Sequence, residues 1–206
     1  MDTVKQRVLA RMQGGDAGKA YSPKDFLDLG SRGSVDMALS QLVAAGSIRR
    51  VIRGIYDYPR SSRLVAGPLS PDLNEVARAI ARKNGWRILA AGAHAANILG
   101  LSTQVPAKAV YLSDGPTRSF KLDRRTIQIK HTEPKTLGAA SEVTGLVIQA
   151  LRHIGKNAVT DVMVRRIARV LSERDLGTLL HDTQYSTDWI HEVAKAIVAE
   201  GQKQNG

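Results

Sequence analysis

The sequence predicts an α+β protein, mainly helical, in two parts. Three observations carry this. Apolar residues recur at helical spacing through most of 4–46 and 141–200. Strand-like alternation is confined to 48–58 and 109–131. Between the halves, RSSRLVAGPLSPDL (60–73) gathers two prolines, a glycine and three serines, the composition of a linker. The expected domains are therefore 1–62 and 72–202.

The first helix is VKQRVLARM, with Val4, Val8, Leu9 and Met12 on one side and Lys5, Arg7 and Arg11 on others. GGDAGKA ends it. YSPKDFLDLG reads as a second helix, with Ser22 as N-cap, Pro23 at the first helical position, and Phe26, Leu27 and Leu29 as its apolar side. Gly30 suits its end. SRGSVDMALSQLVAAG is the third: Val35, Ala38, Leu39 and Leu42 share one face, and Gly46 stops it. Opposite them lie Gly33, Met37, Ser40, Gln41 and Ala44, with Arg32 and Ser34 at the helix start. That outer face is small and almost uncharged. It suits a helix that must approach base edges in a groove, and equally an ordinary exposed surface.

GSIRRVIRGIYDYP (46–59) follows. SIRRVI and GIYDYP read as two short strands joined at Arg53-Gly54, where glycine accepts the positive φ of a tight turn. Alternation sends Ile48, Arg50 and Ile52 to one face and Arg49, Val51 and Arg53 to the other. Arg49 and Arg53 are then expected to face DNA, with Arg50 beside the core. Tyr56 and Tyr58 read as packing residues with a hydroxyl free for a phosphate. Three helices and a basic hairpin in this order are those of a winged helix-turn-helix domain. There the third helix enters the major groove and the hairpin rests on the flanking backbone. Arginine suits that contact because its planar fork binds phosphate bidentately. The competing reading is a solvated hairpin.

In the second part, NEVARAIARKNG buries Val76, Ala79 and Ile80 and stops at Asn84-Gly85. GAHAANILGL is a short alanine-rich helix, and its His94 reads as a packed or surface histidine. AVYLSD, RSFKL and RTIQIKH predict a three-stranded antiparallel meander, with Asp114-Gly115-Pro116 and Asp123-Arg124 as turns. Arg118, Lys121, Arg124, Arg125 and Lys130 form a second basic cluster with one acid among them. It reads as a phosphate-contacting patch, a docking face for an acidic protein, or a solvated strand face. The remainder is helical: SEVTGLVIQALRHIG, DVMVRRIARVL and TDWIHEVAKAIVAE.

Charge and composition bound the function. The 206 residues carry 30 Lys/Arg against 19 Asp/Glu, a net +11, so polyanions are natural partners. The excess is shared: residues 1–64 hold 11 Lys/Arg against 6 Asp/Glu and the rest 19 against 13. With no cysteine, disulfides, thiolate metal sites and cysteine nucleophiles are absent. Neither a secretory signal nor an apolar run of roughly 18 residues appears, so a cytoplasmic protein without membrane association is expected. The five histidines are scattered, and no phosphate loop or GxSxG elbow occurs. Asp114 with Glu133-Pro134-Lys135 could hold a metal for nuclease chemistry, but Pro134 breaks the strand such a pair requires. A non-enzymatic protein without cofactor or metal is the expectation, a metal-dependent nuclease the remote alternative.

Two blocks, SPKDFLDLGSRGSVDMALSQLVAAGSIRRVIRGIYDYP and GAHAANILGLSTQVPAKAVYLSDGPTRSFKL, together resemble the AbiE-type antitoxins of type IV toxin–antitoxin (abortive-infection) systems, in their short, transcriptional-regulator-like branch. The resemblance implies a winged helix that binds inverted repeats in its own promoter and represses it. It also implies a C-terminal domain that counters a nucleotidyltransferase-like toxin encoded beside it. It carries Arg32, Ser34 and Gln41 over as recognition-helix residues and Arg49, Arg50 and Arg53 as wing residues. It would also give the 118–130 cluster a share in DNA binding. A stand-alone transcriptional regulator is the alternative.

Overall fold

The computed structural model describes residues 2–16, 18–62, 65–134, 137 and 141–204. The chain is α+β: among the described residues there are eight α-helices and three small sheets. It divides into two compact units, 1–86 and 87–206. That division falls beyond the predicted linker, because the helix after the linker belongs with the first unit.

In the N-terminal unit, α1 (Val4–Gly14) opens on a capping box between Thr3 and Gln6. It buries Val8 and Met12 against Val35, Ala38, Leu39 and Leu42 of α2 (Arg32–Ala44). Strand β1 (Ala20–Tyr21) leads into a single 3₁₀ turn, Pro23–Phe26. The helix predicted over YSPKDFLDLG is thus cut to one turn. Tyr21 is paired with Tyr56 in a β-ladder, and Asp25 Oδ2 accepts from Ser22 N–H at 2.7 Å. The Asp25 carbonyl, which a continuing α-helix would offer to Leu29, instead accepts from Arg11 Nη1 at 2.9 Å. Leu29 N–H turns to Phe26 O.

The hairpin β2 (Arg49–Ile52) and β3 (Ile55–Asp57) joins β1 in an antiparallel sheet ordered β1-β3-β2. A ladder irregularity lies between Arg50 and Ile52. Tyr21 and Tyr56 turn one face toward the α1/α2 core. The other face carries Ala20, Arg49 and Asp57, as their register requires. After a short ribbon of β4 (Ser61–Ser62) and β5 (Val65–Pro68), α3 (Leu73–Asn84) packs against β1 and β3. Its Arg82 Nη2 donates to Ala20 O at 2.7 Å. The sheet is therefore covered on both sides, and both layers belong to one folding unit.

The C-terminal unit holds a four-stranded sheet, β6 (Ile88–Ala91), β7 (Lys108–Ser113), β8 (Arg118–Leu122) and β9 (Arg125–His131), in the order β6-β7-β9-β8. The predicted three-stranded antiparallel meander is corrected here. β8 and β9 form a hairpin, but β9 lies parallel to β7, and β6 adds an antiparallel fourth strand. Side-chain character decides the order. β9 supplies the fully buried Ile127 and Ile129 and takes an interior position, whereas polar RSFKL takes the edge. Helices α4 (Gly92–Ile98), α5 (Glu142–Ile154), α6 (Asp161–Val170), α7 (Glu173–Thr183) and α8 (Asp188–Gln204) complete the unit. Val147, Leu151, Ile167, Leu179, Ile190 and Ile197 are among its fully buried side chains. His94 is buried in α4, its Nε2 2.8 Å from the Tyr111 hydroxyl. No described helix is long and apolar enough to cross a membrane.

Candidate nucleic-acid interface

Helix α2 is fixed from within and open outside. Ser31 caps it, its hydroxyl accepting from Ser34 N–H and lying 2.9 Å from Ser34 Oγ. The inner residues Val35, Ala38, Leu39 and Leu42 are buried, and Arg32, Gly33, Ser34, Met37, Ser40 and Gln41 are exposed. Met37 is 64% exposed. A Cβ at Gly33 would meet no neighbouring group within 4 Å, so nothing inside the chain demands glycine there. Arg32 Nε donates to Asp36 Oδ2 at 2.8 Å, an exposed pair one helical turn apart. The outer face thus stays small and nearly neutral along its length.

The hairpin arginines differ from one another, and not in the exposure expected of them. Arg49 Nε and Nη2 reach Asp57 at 2.9 and 2.5 Å, and its Nη1 donates to Leu69 O at 2.9 Å. Asp57 is only 2% exposed, so Arg49 neutralises a buried carboxylate. Arg50, expected beside the core, is exposed. Arg49 and Arg50 keep the opposite faces that alternation assigns them, Arg49 across from Asp57 and Arg50 across from Tyr56. The exposure differs because the Arg49 face is covered from the side of α3 and Leu69. Arg53 is exposed at the turn, and Tyr56 is half-buried against the α1/α2 core.

Two further cations join this surface without having been singled out in the sequence, Lys24 and Lys83. Lys83, in the last turn of α3, donates from Nζ to Arg53 O at 3.4 Å. A Cβ on Gly54, whose φ is +74°, would lie 2.6 Å from that ammonium, so glycine both makes the turn and admits the lysine. Partial burial, then Arg32, Arg53 and Lys24, hold the Lys83 pKa below the ordinary lysine value. Cations from three other elements therefore act on Lys83 at the end of α3: the 3₁₀ turn, the start of α2 and the hairpin turn. No local signal marks either lysine. In the sequence Lys83 is one more cation at a helix end, and only the packing of α3 brings it to the hairpin.

Residues 7–179 match the family described as a family of unknown function (DUF6088). The chain belongs to that family. No curated protein matches it. The DUF6088 match runs through α2, the hairpin and α3 and on through the four-stranded sheet.

In that sheet the second basic cluster comes apart. Arg118 pairs across the ladder with Ile129, and Arg125 with Leu122, on the face of the buried isoleucines. Lys121 and Lys130 share the opposite face with Ser119, Thr126 and Gln128, and Lys108 joins them from β7. Arg124 lies in the turn beside Asp123, whose φ is +50°. Of the Asp114–Glu133–Lys135 constellation, Asp114 accepts from Arg87 N–H at 2.8 Å and from its guanidinium at 3.2 Å. Burial opposes its ionisation, yet these Arg87 contacts leave its pKa below the usual carboxylate value. Lys135 lies outside the described residues. Among the described residues no group of three His, Asp or Glu stands where a metal could be held.

Proposed function

We propose that the N-terminal unit of this DUF6088 protein is a winged helix-turn-helix domain that binds double-stranded DNA. α2 is the reader in the major groove and the β2–β3 turn is the wing on the flanking backbone. The observation that carries this is the element order helix, strand, turn, helix, hairpin, with sheet order β1-β3-β2. That order leaves the small face of α2 exposed on the unit that also presents Arg50 and Arg53. Among the described residues neither arginine has an ion-pair partner. The net charge of +11 supports a polyanionic ligand. The 22–59 and 92–122 blocks, which resemble AbiE-type antitoxins, extend the reading. On it the protein represses its own promoter through inverted repeats and counters a nucleotidyltransferase-like toxin. It works without catalysis, cofactor or metal, in the cytoplasm.

Binding to the DNA upstream of its own gene, compared with mixed-sequence DNA, tests the reader and the wing together. Gln41→Ala should reduce the preference for the promoter by about 1–2 kcal/mol with little change on mixed DNA, because base-edge contacts specify. Arg53→Ala should weaken both DNAs alike and flatten the salt dependence by about 0.9. Equal losses on both DNAs for Gln41→Ala would remove α2 as the reader. For the antitoxin part, growth is scored while the neighbouring gene is expressed with and without this protein. A neighbour that is harmless alone would leave a transcriptional regulator.

A further inference from the structure

Most cations of the N-terminal unit have a structural partner. Arg11 is bidentate on Asp28 at 2.6 and 2.7 Å, Arg49 lies on Asp57, and Arg82 on Ala20 O and Asp25. Lys24, Arg32, Arg53 and Lys83 form a different group. Among the described residues its one carboxylate partner is Asp36, which lies against Arg32. Like charges brought near a partly buried lysine cost free energy, and the burial itself adds to the cost. The end of a helix can present its cation to open water, where it interacts favourably with the helix dipole. Here the α3 ammonium is instead directed at the hairpin turn, among three other cations.

We propose that Lys24, Arg32, Arg53 and Lys83 form a seat for a backbone phosphate of bound DNA, with the Lys83 ammonium at its centre. The inference rests on the DNA-binding reading above and deepens it. One Lys83 N–H is directed to Arg53 O, which fixes the ammonium at the turn and leaves two donors for phosphate oxygens. Gly54 keeps the approach open. The seat is assembled before the ligand arrives, so little ordering accompanies binding. It also links α3 to the wing, which makes the DNA-binding unit extend to residue 86 rather than end at residue 62. A phosphate supplies negative charge to the Lys83 end of the group, whereas the one paired carboxylate among the described residues, Asp36, lies on Arg32.

The test uses the full chain and a mixed-sequence duplex of about three helical turns (roughly 30 base pairs), long enough to span a whole winged-helix site. Lys83→Met should weaken binding about tenfold, the size of one lost charge-assisted contact. The salt slope should fall by about 0.9, equally on promoter and mixed DNA. Lys83→Arg should restore much of the affinity, and Lys24→Met, at an exposed site, should weaken binding in the same direction. Stability separates this role from a structural one. Because the folded-state pKa of Lys83 is depressed, its protonated form costs stability at neutral pH, and that cost vanishes as pH rises through the ordinary lysine range. Lys83→Met should therefore melt no lower than wild type at neutral pH. Wild-type affinity and slope in both methionine variants would overturn the seat while leaving DNA binding intact. A wild-type chain that binds no duplex at low salt would overturn the DNA reading and the seat with it. A Lys83 amine resonance that moves with inorganic pyrophosphate but not with duplex would reassign the seat to a small phosphate ligand.

Discussion

The two basic regions of the molecule are built in opposite ways. At 118–130 five cations crowd into thirteen residues, yet the sheet distributes them over two faces and a turn. Around the β2–β3 hairpin, Lys24, Arg32, Arg53 and Lys83 are spread over sixty residues, yet the fold brings Lys83 to the Arg53 carbonyl, where burial and then the other three cations depress its pKa. Charge density along the chain is therefore a poor measure of charge density in space. Period-two alternation separates neighbours in a strand, whereas packing of a helix end on a hairpin turn gathers distant residues.

The largest effect should come from a hairpin arginine that belongs to neither group. Arg49→Ala would leave the Asp57 carboxylate buried without its partner, at a cost of about 3 kcal/mol. Urea denaturation should register that loss, and Asp57→Asn should cost less because it leaves no buried charge. Any fall in DNA affinity for Arg49→Ala should vanish once measured where the variant is fully folded. A stable Arg49→Ala chain with a lower salt slope would instead return Arg49 to the DNA surface, where strand alternation places it.

The same residue shows where the sequence is legible and where it is not. Helical spacing locates α1 and α2, and the buried residues of α2 are those its period selects, because each contact involves residues a turn apart. Arg53-Gly54 marks the hairpin turn, since its chemistry is local. Which hairpin face is outside depends on α3, some twenty-five residues later, and nothing in SIRRVI encodes that layer. β1, two residues long, carries no periodic signal, and its pairing with β3 helps reduce the predicted second helix to one turn. The parallel β7/β9 pairing fails for the same reason: three alternating segments in a row fit a meander equally well. Of the site, the α2 face was readable from spacing. The approach of Lys83 to the hairpin turn was not, because that contact exists only in the folded arrangement.

A smaller effect should appear at Gly54. Gly54→Ala places a side chain at a positive φ, at a cost of about 1 kcal/mol, and drives its Cβ toward the Lys83 ammonium. The chain should remain folded, with a melting point a few degrees lower and weaker binding to mixed-sequence DNA. Double-mutant comparison sharpens this. With Lys83→Met already present, the affinity loss from Gly54→Ala should shrink, because both act on the same ammonium. Additive losses would mean that the alanine disturbs the wing independently of Lys83.

The smallest effect is expected in the C-terminal sheet, and it bears most directly on the contrast between the two regions. Lys121 lies across the ladder from Thr126, so Lys130, four residues further along β9, stands about 13 Å away. That separation exceeds the screening length of about 8 Å at physiological ionic strength, so the two lysines scarcely reinforce one another. Replacing both by alanine should change stability by no more than about 0.5 kcal/mol, as for other exposed substitutions. On mixed-sequence DNA the pair should lower the salt slope by less than the 0.9 or so expected from Lys83 alone. A fall of about 1.8 would mean that each lysine holds a phosphate. Dispersed cations on an open sheet face would then serve DNA as well as convergent ones.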